Sequence, residues 1–309
     1  MGTIKLAVKR LIQNSLSPST KSSYRHAIGK YDQFVQHYHS QVATFPVNYT
    51  HLHQFIAFLH CSGTQASSVQ SFLSAINFIH KAMGGQDIFE DFWLSRIILG
   101  YKKLSVATPD KRLPISLDIL FRLCTSLQSL PLTQFEIIMF QAMFLLSFYA
   151  LLRVGEITVT SLSAQNPNLL LLNNLCISPN SSDVTITFTS YKHCRPLSPI
   201  TLVIPPNPGP HSLPNILSKY LHLRGSTPGP LFMFNNAPVT RSFYTQTLAK
   251  CLKFCGFDPS KYKSHSFRIG SATTAIQKGT SQFMVQQMGR WNSDAFKKYI
   301  RIPQFNRQH

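Results

Sequence analysis

The opening third of the chain repeats apolar residues at helical spacing. Tyr24, Ala27, Ile28, Tyr31, Phe34, Val35 and Tyr38 recur three or four residues apart, which puts them on one stripe of an amphipathic helix. Thr20 is placed to cap it, and Lys21, Arg25 and Lys30 fall largely off the stripe. Thr50 can open a second helix with Leu52, Phe55, Ile56 and Leu59 inside. A third helix is predicted from about Ser67 to Met83, with Val69, Phe72, Leu73, Ile76 and Ile79 inward and Gly84-Gly85 ending it. A shorter fourth lies around Phe89–Leu99.

Periodicity then stops. Residues 105–115 carry two prolines and mixed charge, the composition of a connecting segment. This divides the chain into a helical N-terminal domain over 1–105, a linker over 106–115 and a second domain over 116–309. The second domain opens with helices near Ser116–Leu127 and Gln134–Leu152. Leu169–Ile177 is a short apolar run consistent with a strand, and Val184–Tyr191 alternates Val-Thr-Ile-Thr-Phe-Thr, the period of a half-buried strand. Lys192-His193-Cys194-Arg195-Pro196 forms a turn, and Thr201–Ile204 can return as the partner strand. After the proline-rich stretch 205–210 the chain reads as helical nearly to its end. The fold class is therefore mainly α with a small antiparallel β-sheet, in two domains.

The longest apolar run, Ile137–Leu152, is sixteen residues long and contains Gln141 and Ser147. A bilayer span needs ~20 apolar residues, so a buried core helix is expected and no membrane association. The N-terminus has no secretory pattern. The six cysteines are Cys61, Cys124, Cys176, Cys194, Cys251 and Cys255. Only Cys251 and Cys255 are close, one helical turn apart rather than at zinc-knuckle spacing, so all six read as reduced thiols and no metal site is expected.

Charge narrows the function. Thirty Lys+Arg against eleven Asp+Glu give a net charge of +19. Residues 1–31 hold six basic side chains and no acid, and from Pro259 onward nine basic residues face Asp294 alone. Such a surface suits a polyanion, since each phosphate contact releases condensed counterions.

Three local features carry candidate chemistry. Arg153 sits in Leu-Leu-Arg-Val-Gly-Glu, just past the apolar helix, where a cation is costly unless used or paired, with Glu156 within reach. His265 and Arg268, in Ser-His-Ser-Phe-Arg, are three apart and share one helical face, with Gly279 ending that helix. Gly289-Arg290-Trp291-Asn292-Ser293-Asp294 leads into a last helix, capped by Asn292 or Ser293, in which Tyr299 lies beside the buried Phe296 and Ile300.

Taken in order, Arg153, Lys192 in the hairpin turn, His265-x-x-Arg268, Trp291 and Tyr299 resemble the catalytic signature of the tyrosine recombinase (phage integrase) family. Trp291 lies 23 residues after Arg268, where the family places His or Trp, and eight before Tyr299, one fewer than in many bacterial members. The phrases Phe-Arg-Ile-Gly-Ser-Ala and Gly-Arg-Trp-Asn-Ser-Asp-Ala are similar to recombinases of eukaryotic mobile elements, the DIRS-type retrotransposons and cryptons. The resemblance spans about residues 110–303, and the N-terminal helices look like the family's core-binding domain. It implies a two-domain C-shaped clamp on double-stranded DNA, four protomers acting on two duplexes, and a nuclear location if eukaryotic, otherwise cytoplasmic.

It also implies roles. Tyr299 attacks phosphorus to form a 3′-phosphotyrosyl bond that keeps the bond energy, so no cofactor is needed. Arg153 and Arg268 neutralise the charge of the pentavalent state. His265 donates to a phosphate oxygen or takes the tyrosine proton. Trp291 offers its indole N–H. Lys192 protonates the leaving 5′ oxygen, and Glu156 orients Arg153 or His265. Lys21, Arg25, Lys30 and Arg241 are expected DNA contacts.

Other classes remain open at this point. One is a recombinase-derived DNA-binding protein without activity; another is a type IB topoisomerase-like enzyme using the same chemistry. A third, a His-hydrophobe-His nuclease through His51-Leu52-His53, needs a strand where the periodicity predicts a helix.

Overall fold

The computed structural model describes residues 2–40, 42–105, 110–163, 166–179, 182–191, 199–207 and 211–301. They form two compact units, Met1–Pro109 and Asp110–His309.

The first unit holds α1 (Gly2–Asn14), α2 (Pro18–Tyr38), α3 (Tyr49–Cys61), α4 (Ala66–Ala82) and α5 (Phe92–Leu104). Its core is most of the predicted stripe: Tyr31, Phe34, Val35, Leu52, Phe55, Ile56, Leu59, Val69, Leu73 and Ile76 are all buried together, whereas Tyr38, at the stripe's end, is exposed. Caps fix the helix starts. Ser17, not Thr20, opens α2, accepting from the Thr20 backbone N–H with Pro18 at the first helical position. Asn48 opens α3 and Asp91 opens α5 in the same way. Helix α1 was not expected; it leaves Ile4, Leu6, Leu11 and Ile12 exposed. His51 and His53 lie on α3, His51 stacked on His39 at 3.7 Å and His53 bonded to Asp91 at 2.8 Å, so the strand that a His-hydrophobe-His nuclease requires is not there.

The second unit is built round α7 (Gln134–Tyr149), after α6 (Leu117–Ser126). Thr133 and Glu136 close a capping box at the α7 start, and Ile137 to Phe148 are all buried. A helix apolar on every face is stable only when enclosed. The two polar residues of that buried stretch are satisfied within the core: the Gln141 amide donates to the Cys124 carbonyl at 3.0 Å and the Ser147 hydroxyl to the Met143 carbonyl at 2.6 Å. No helix among the described residues is long and apolar enough to cross a membrane. The short α8 (Val154–Ile157) follows a reversal at Leu151, whose φ is +47°.

The sheet is antiparallel in the order β1 (Leu175–Ile177), β2 (Val184–Phe188), β3 (Ile200–Ile204), with Val184 opposite Ile204 and Phe188 opposite Ile200. Val184, Ile186 and Phe188 point into the core, as the alternation required. The first predicted strand is shorter than expected, because residues 172–174 form a 3-10 turn. Beyond α9 (Leu213–Arg224) the chain is not purely helical either: β4 (Met233–Phe234) and β5 (Ala237–Pro238) pair around Asn235-Asn236, both at positive φ. Then come α10 (Arg241–Phe254), α11 (His265–Gln277), α12 (Gln282–Met288) and a 3-10 turn over Asp294–Tyr299. The last replaces the predicted final helix; Ser293 caps it and Phe296 anchors it.

Part of the expected linker belongs to the second unit. The Leu113 and Ile115 N–H groups donate to Lys261 and Ser266 at 2.8 and 3.0 Å, and Ile115 is fully buried. Its carbonyl lies 1.7 Å from where a Cβ on Gly270 would sit, so the crossing over α11 demands glycine there. Two prolines hid a segment held by backbone pairing rather than by periodic side chains.

Candidate active site

Three chain segments far apart in sequence meet at the C-terminal end of α7. The reversal Ala150–Arg153 presents carbonyls at a helix C-terminus, where the dipole favours cations. Arg268, on α11, donates to the Leu151 carbonyl and to Gly289 at 2.9 Å. Arg290 donates to the Ala150 and Leu151 carbonyls, both at 3.3 Å. These guanidiniums are 1% and 3% exposed. Burial, then the nearby Arg153, lowers both pKa values from the usual arginine range, and Arg290 adds to the effect at Arg268.

Glu156 supplies the compensating charge. Its buried carboxylate accepts from the Arg153 side chain at 3.2 Å, the Arg153 N–H at 2.8 Å and Arg290 at 2.8 Å. Arg153 in turn donates to the Arg290 carbonyl at 3.0 Å. Glu156 is thus bonded to Arg153, and it also holds Arg290, a residue outside the expected site set. Arg290 stacks on Phe188 at 3.8 Å, tying the end of β2 to the same carboxylate. From Pro259 onward the one acid is Asp294, so the partner of Arg290 comes from a distant segment that no local signal marks.

Trp291 and Tyr299 close over Arg268. The Arg268 guanidinium lies 4.3 Å from the Trp291 ring centre and 5.6 Å from that of Tyr299. The two rings are 5.1 Å apart. Trp291 folds over Gly289, where a Cβ would fall 1.6 Å from the indole, so only glycine fits. His265, the first residue of α11, sits 6.1 Å from the Tyr299 ring, ring centre to ring centre. The three-residue spacing of His265 and Arg268 therefore brings both to one phenol. Burial, and then the guanidiniums of Arg112, Arg268, Arg153 and Arg241, push the His265 pKa down to about 4. The ring is neutral at neutral pH, with donors and cations converging where an anion would sit.

Besides Arg290, two further cations near His265 lie outside the expected catalytic set. Arg241, expected as a DNA contact, opens α10 with its guanidinium 3.6 Å from where a Gly155 Cβ would lie. Arg112 was expected in the linker. Lys192 lies outside the described residues, between Tyr191 and β3. Lys21 and Arg25 are exposed on α2, beside an open, mainly apolar groove with Tyr24, Ile28 and Phe78. The Lys30 ammonium lies 5.5 Å from the Phe72 ring. Among the described residues no group of three or more His, Cys, Asp or Glu is arranged to hold a metal ion.

Comparisons with known proteins bear on the N-terminal segment and on the fold. Residues 8–83 match the family model for the phage integrase N-terminal SAM-like domain. In fold, the chain resembles the XerH site-specific recombinase bound to its palindromic difH substrate in a post-cleavage complex. That match has TM-score 0.63 and 13% identity, and covers 92% of this chain and 76% of XerH. The Tn1549 transposon integrase in complex with circular intermediate DNA matches with TM-score 0.60 and 14% identity, over 97% of this chain and 94% of that one. A lambda integrase dimer bound to a COC′ core site matches with TM-score 0.60 and 13% identity, over 94% and 74%. No curated protein sequence matches the chain. At these identities the structural likeness establishes the fold.

Proposed function

We propose that the chain is a site-specific tyrosine recombinase, cutting and rejoining double-stranded DNA through a 3′-phosphotyrosyl bond at Tyr299. The observation that carries this reading is the convergence of Arg268, Trp291, His265 and Tyr299 within ring-contact distance, with Arg153 bonded to the same segment. These groups come from residues 153, 265–268 and 291–299, and core packing alone does not call for two arginines there.

In the proposed reaction the Tyr299 oxygen attacks phosphorus and the 5′ oxygen of the next nucleotide leaves. Arg153 and Arg268 bind the non-bridging oxygens as charge builds on them. His265 is neutral with its pKa near 4, so it can accept the phenol proton or donate a ring N–H to phosphate. Trp291 donates its indole N–H, and Lys192 protonates the leaving oxygen. A 5′-hydroxyl then attacks the phosphotyrosine, the phenol leaves, and the strand is rejoined without ATP or a metal ion. Lys21, Arg25, Lys30 and Arg241 contact the DNA backbone, and four protomers act on two duplexes. The similarity of the Phe-Arg-Ile-Gly-Ser-Ala and Gly-Arg-Trp-Asn-Ser-Asp-Ala phrases to eukaryotic mobile-element recombinases supports a role in such an element, with action in the nucleus if the source is eukaryotic and in the cytoplasm otherwise.

The test is covalent trapping. On a duplex nicked near the cut, the released fragment diffuses away and the adduct accumulates. Wild type is expected to form a DNA adduct stable to denaturation, and Tyr299→Phe none. Duplex binding without any adduct from wild type would favour an inactive DNA-binding derivative.

A further inference from the structure

The segment carrying Tyr299 is weakly rooted. It is a 3-10 turn of six residues, of which Phe296 alone is buried. Besides the packing of Tyr299 and Ile300, two polar attachments among the described residues hold its far end. One is Thr273, which shares a helix with His265 and Arg268: its hydroxyl donates to the Tyr299 carbonyl at 3.3 Å and accepts the Arg301 N–H at 3.0 Å. The other comes from the extended segment ahead of α6. The Arg301 guanidinium donates to Oδ2 of Asp110 at 2.9 Å.

Asp110 is built to receive it. Arg112 grips the same carboxylate with its Nε and Nη2 at 2.8 and 2.9 Å and with its backbone N–H at 3.1 Å. These bonds fix the carboxylate orientation and leave room on Oδ2 for a second guanidinium. Backbone hydrogen bonds from Leu113 to Lys261 and from Ile115 to Ser266 anchor this segment beside the start of α11. Asp110 therefore reaches Arg301 from the element that runs next to His265. The carboxyl pKa, lowered to about 2 chiefly by Arg112, keeps the charge in place at ordinary pH.

Resting on the reading of Tyr299 as the nucleophile, we propose that Asp110 is a positioning residue: through Arg301 it clasps the nucleophile's segment against its own active site. Arg112 presets the carboxylate, and the clasp limits how far the phenol strays from Arg268 and His265. A partly exposed ion pair of this kind changes the population of a docked short segment several-fold.

Two measurements decide it. The first is hydrogen exchange of the peptide covering residues 294–301 in DNA-free protein. Asp110→Asn and Arg301→Glu are each expected to speed it about three- to tenfold, and Asp110→Lys combined with Arg301→Glu to restore slow exchange. The second is the rate of covalent adduct formation on the nicked duplex, expected to fall about three- to tenfold in the single variants and recover in the charge swap, with duplex affinity unchanged. Exchange unchanged in both single variants overturns the clasp, as does slowed adduct formation that the swap fails to restore. If wild type forms no adduct, the nucleophile reading fails, and the exchange measurement still decides whether the clasp exists.

Discussion

Placing a histidine among four guanidiniums has a measurable consequence for stability. The His265 pKa falls from 6.5 to about 4 in the folded chain, by burial first and then by Arg112, Arg268, Arg153 and Arg241. The unfolded chain therefore binds a proton before the folded one as pH drops. Stability is fully present above about pH 6.5, declines as pH falls towards 4, and loses nothing more from this group below that. Between pH 7 and pH 5 the shift amounts to roughly 2 kcal/mol at 1.36 kcal/mol per pKa unit. Solvent reaches part of the ring and screens the guanidiniums, so about 1 kcal/mol is the expected effect. The assay is urea unfolding of wild type and His265→Gln at both pH values. The chain has two tryptophans, and a Trp93→Phe background makes Trp291 fluorescence report on the second unit. Wild type should lose about 1 kcal/mol more than His265→Gln on going to pH 5. Sulfate, by pairing with the guanidiniums, should shrink that difference. Equal losses in the two proteins would falsify the electrostatic account of the site.

Further outcomes follow from the same geometry. Arg290→Ala removes one of two cations from a buried carboxylate and should destabilise the second unit by about 3–5 kcal/mol in urea; a loss below about 1 kcal/mol would mean that Glu156 does not depend on it. Gly270→Ala puts a methyl group onto the Ile115 carbonyl and should cost about 1–3 kcal/mol, whereas Gly155→Ala meets nothing nearer than 3.6 Å and should melt nearly as wild type does. Arg268→Lys cannot span the Leu151 and Gly289 carbonyls with a planar fork and should slow adduct formation at least ~100-fold, with duplex affinity nearly kept; a loss confined to affinity would remove Arg268 from the chemistry. Binding to duplex DNA should weaken steeply with salt, and Lys21→Ala or Arg25→Ala should each flatten the log–log slope by about 1. An unchanged slope would take α2 out of the DNA interface.

What was legible in the sequence followed local rules. Apolar spacing located the α2, α3 and α4 core positions because a helical stripe is visible within a dozen residues, and the Val-Thr-Ile-Thr-Phe-Thr alternation located β2. Cap positions slipped by a few residues, since Ser17 and Thr20 both offer an oxygen and only the path of the preceding chain selects between them. The anchoring of 113–115 is not legible in the sequence, because two backbone hydrogen bonds to Lys261 and Ser266 leave no periodic trace. The final segment was read as a helix, yet it closes as a 3-10 turn around Phe296, Trp291 and Thr273.

The order of Arg153, His265, Arg268, Trp291 and Tyr299, and the His-x-x-Arg face, are properties of the chain itself, because spacing along one helix sets which side chains point together. Which charge balances which was settled only by the tertiary structure. Glu156 reaches across 134 residues to Arg290, and Asp110 across 191 to Arg301. Coulomb attraction acts through space and registers no period in the sequence, so these partners became visible only once the helix ends had packed together.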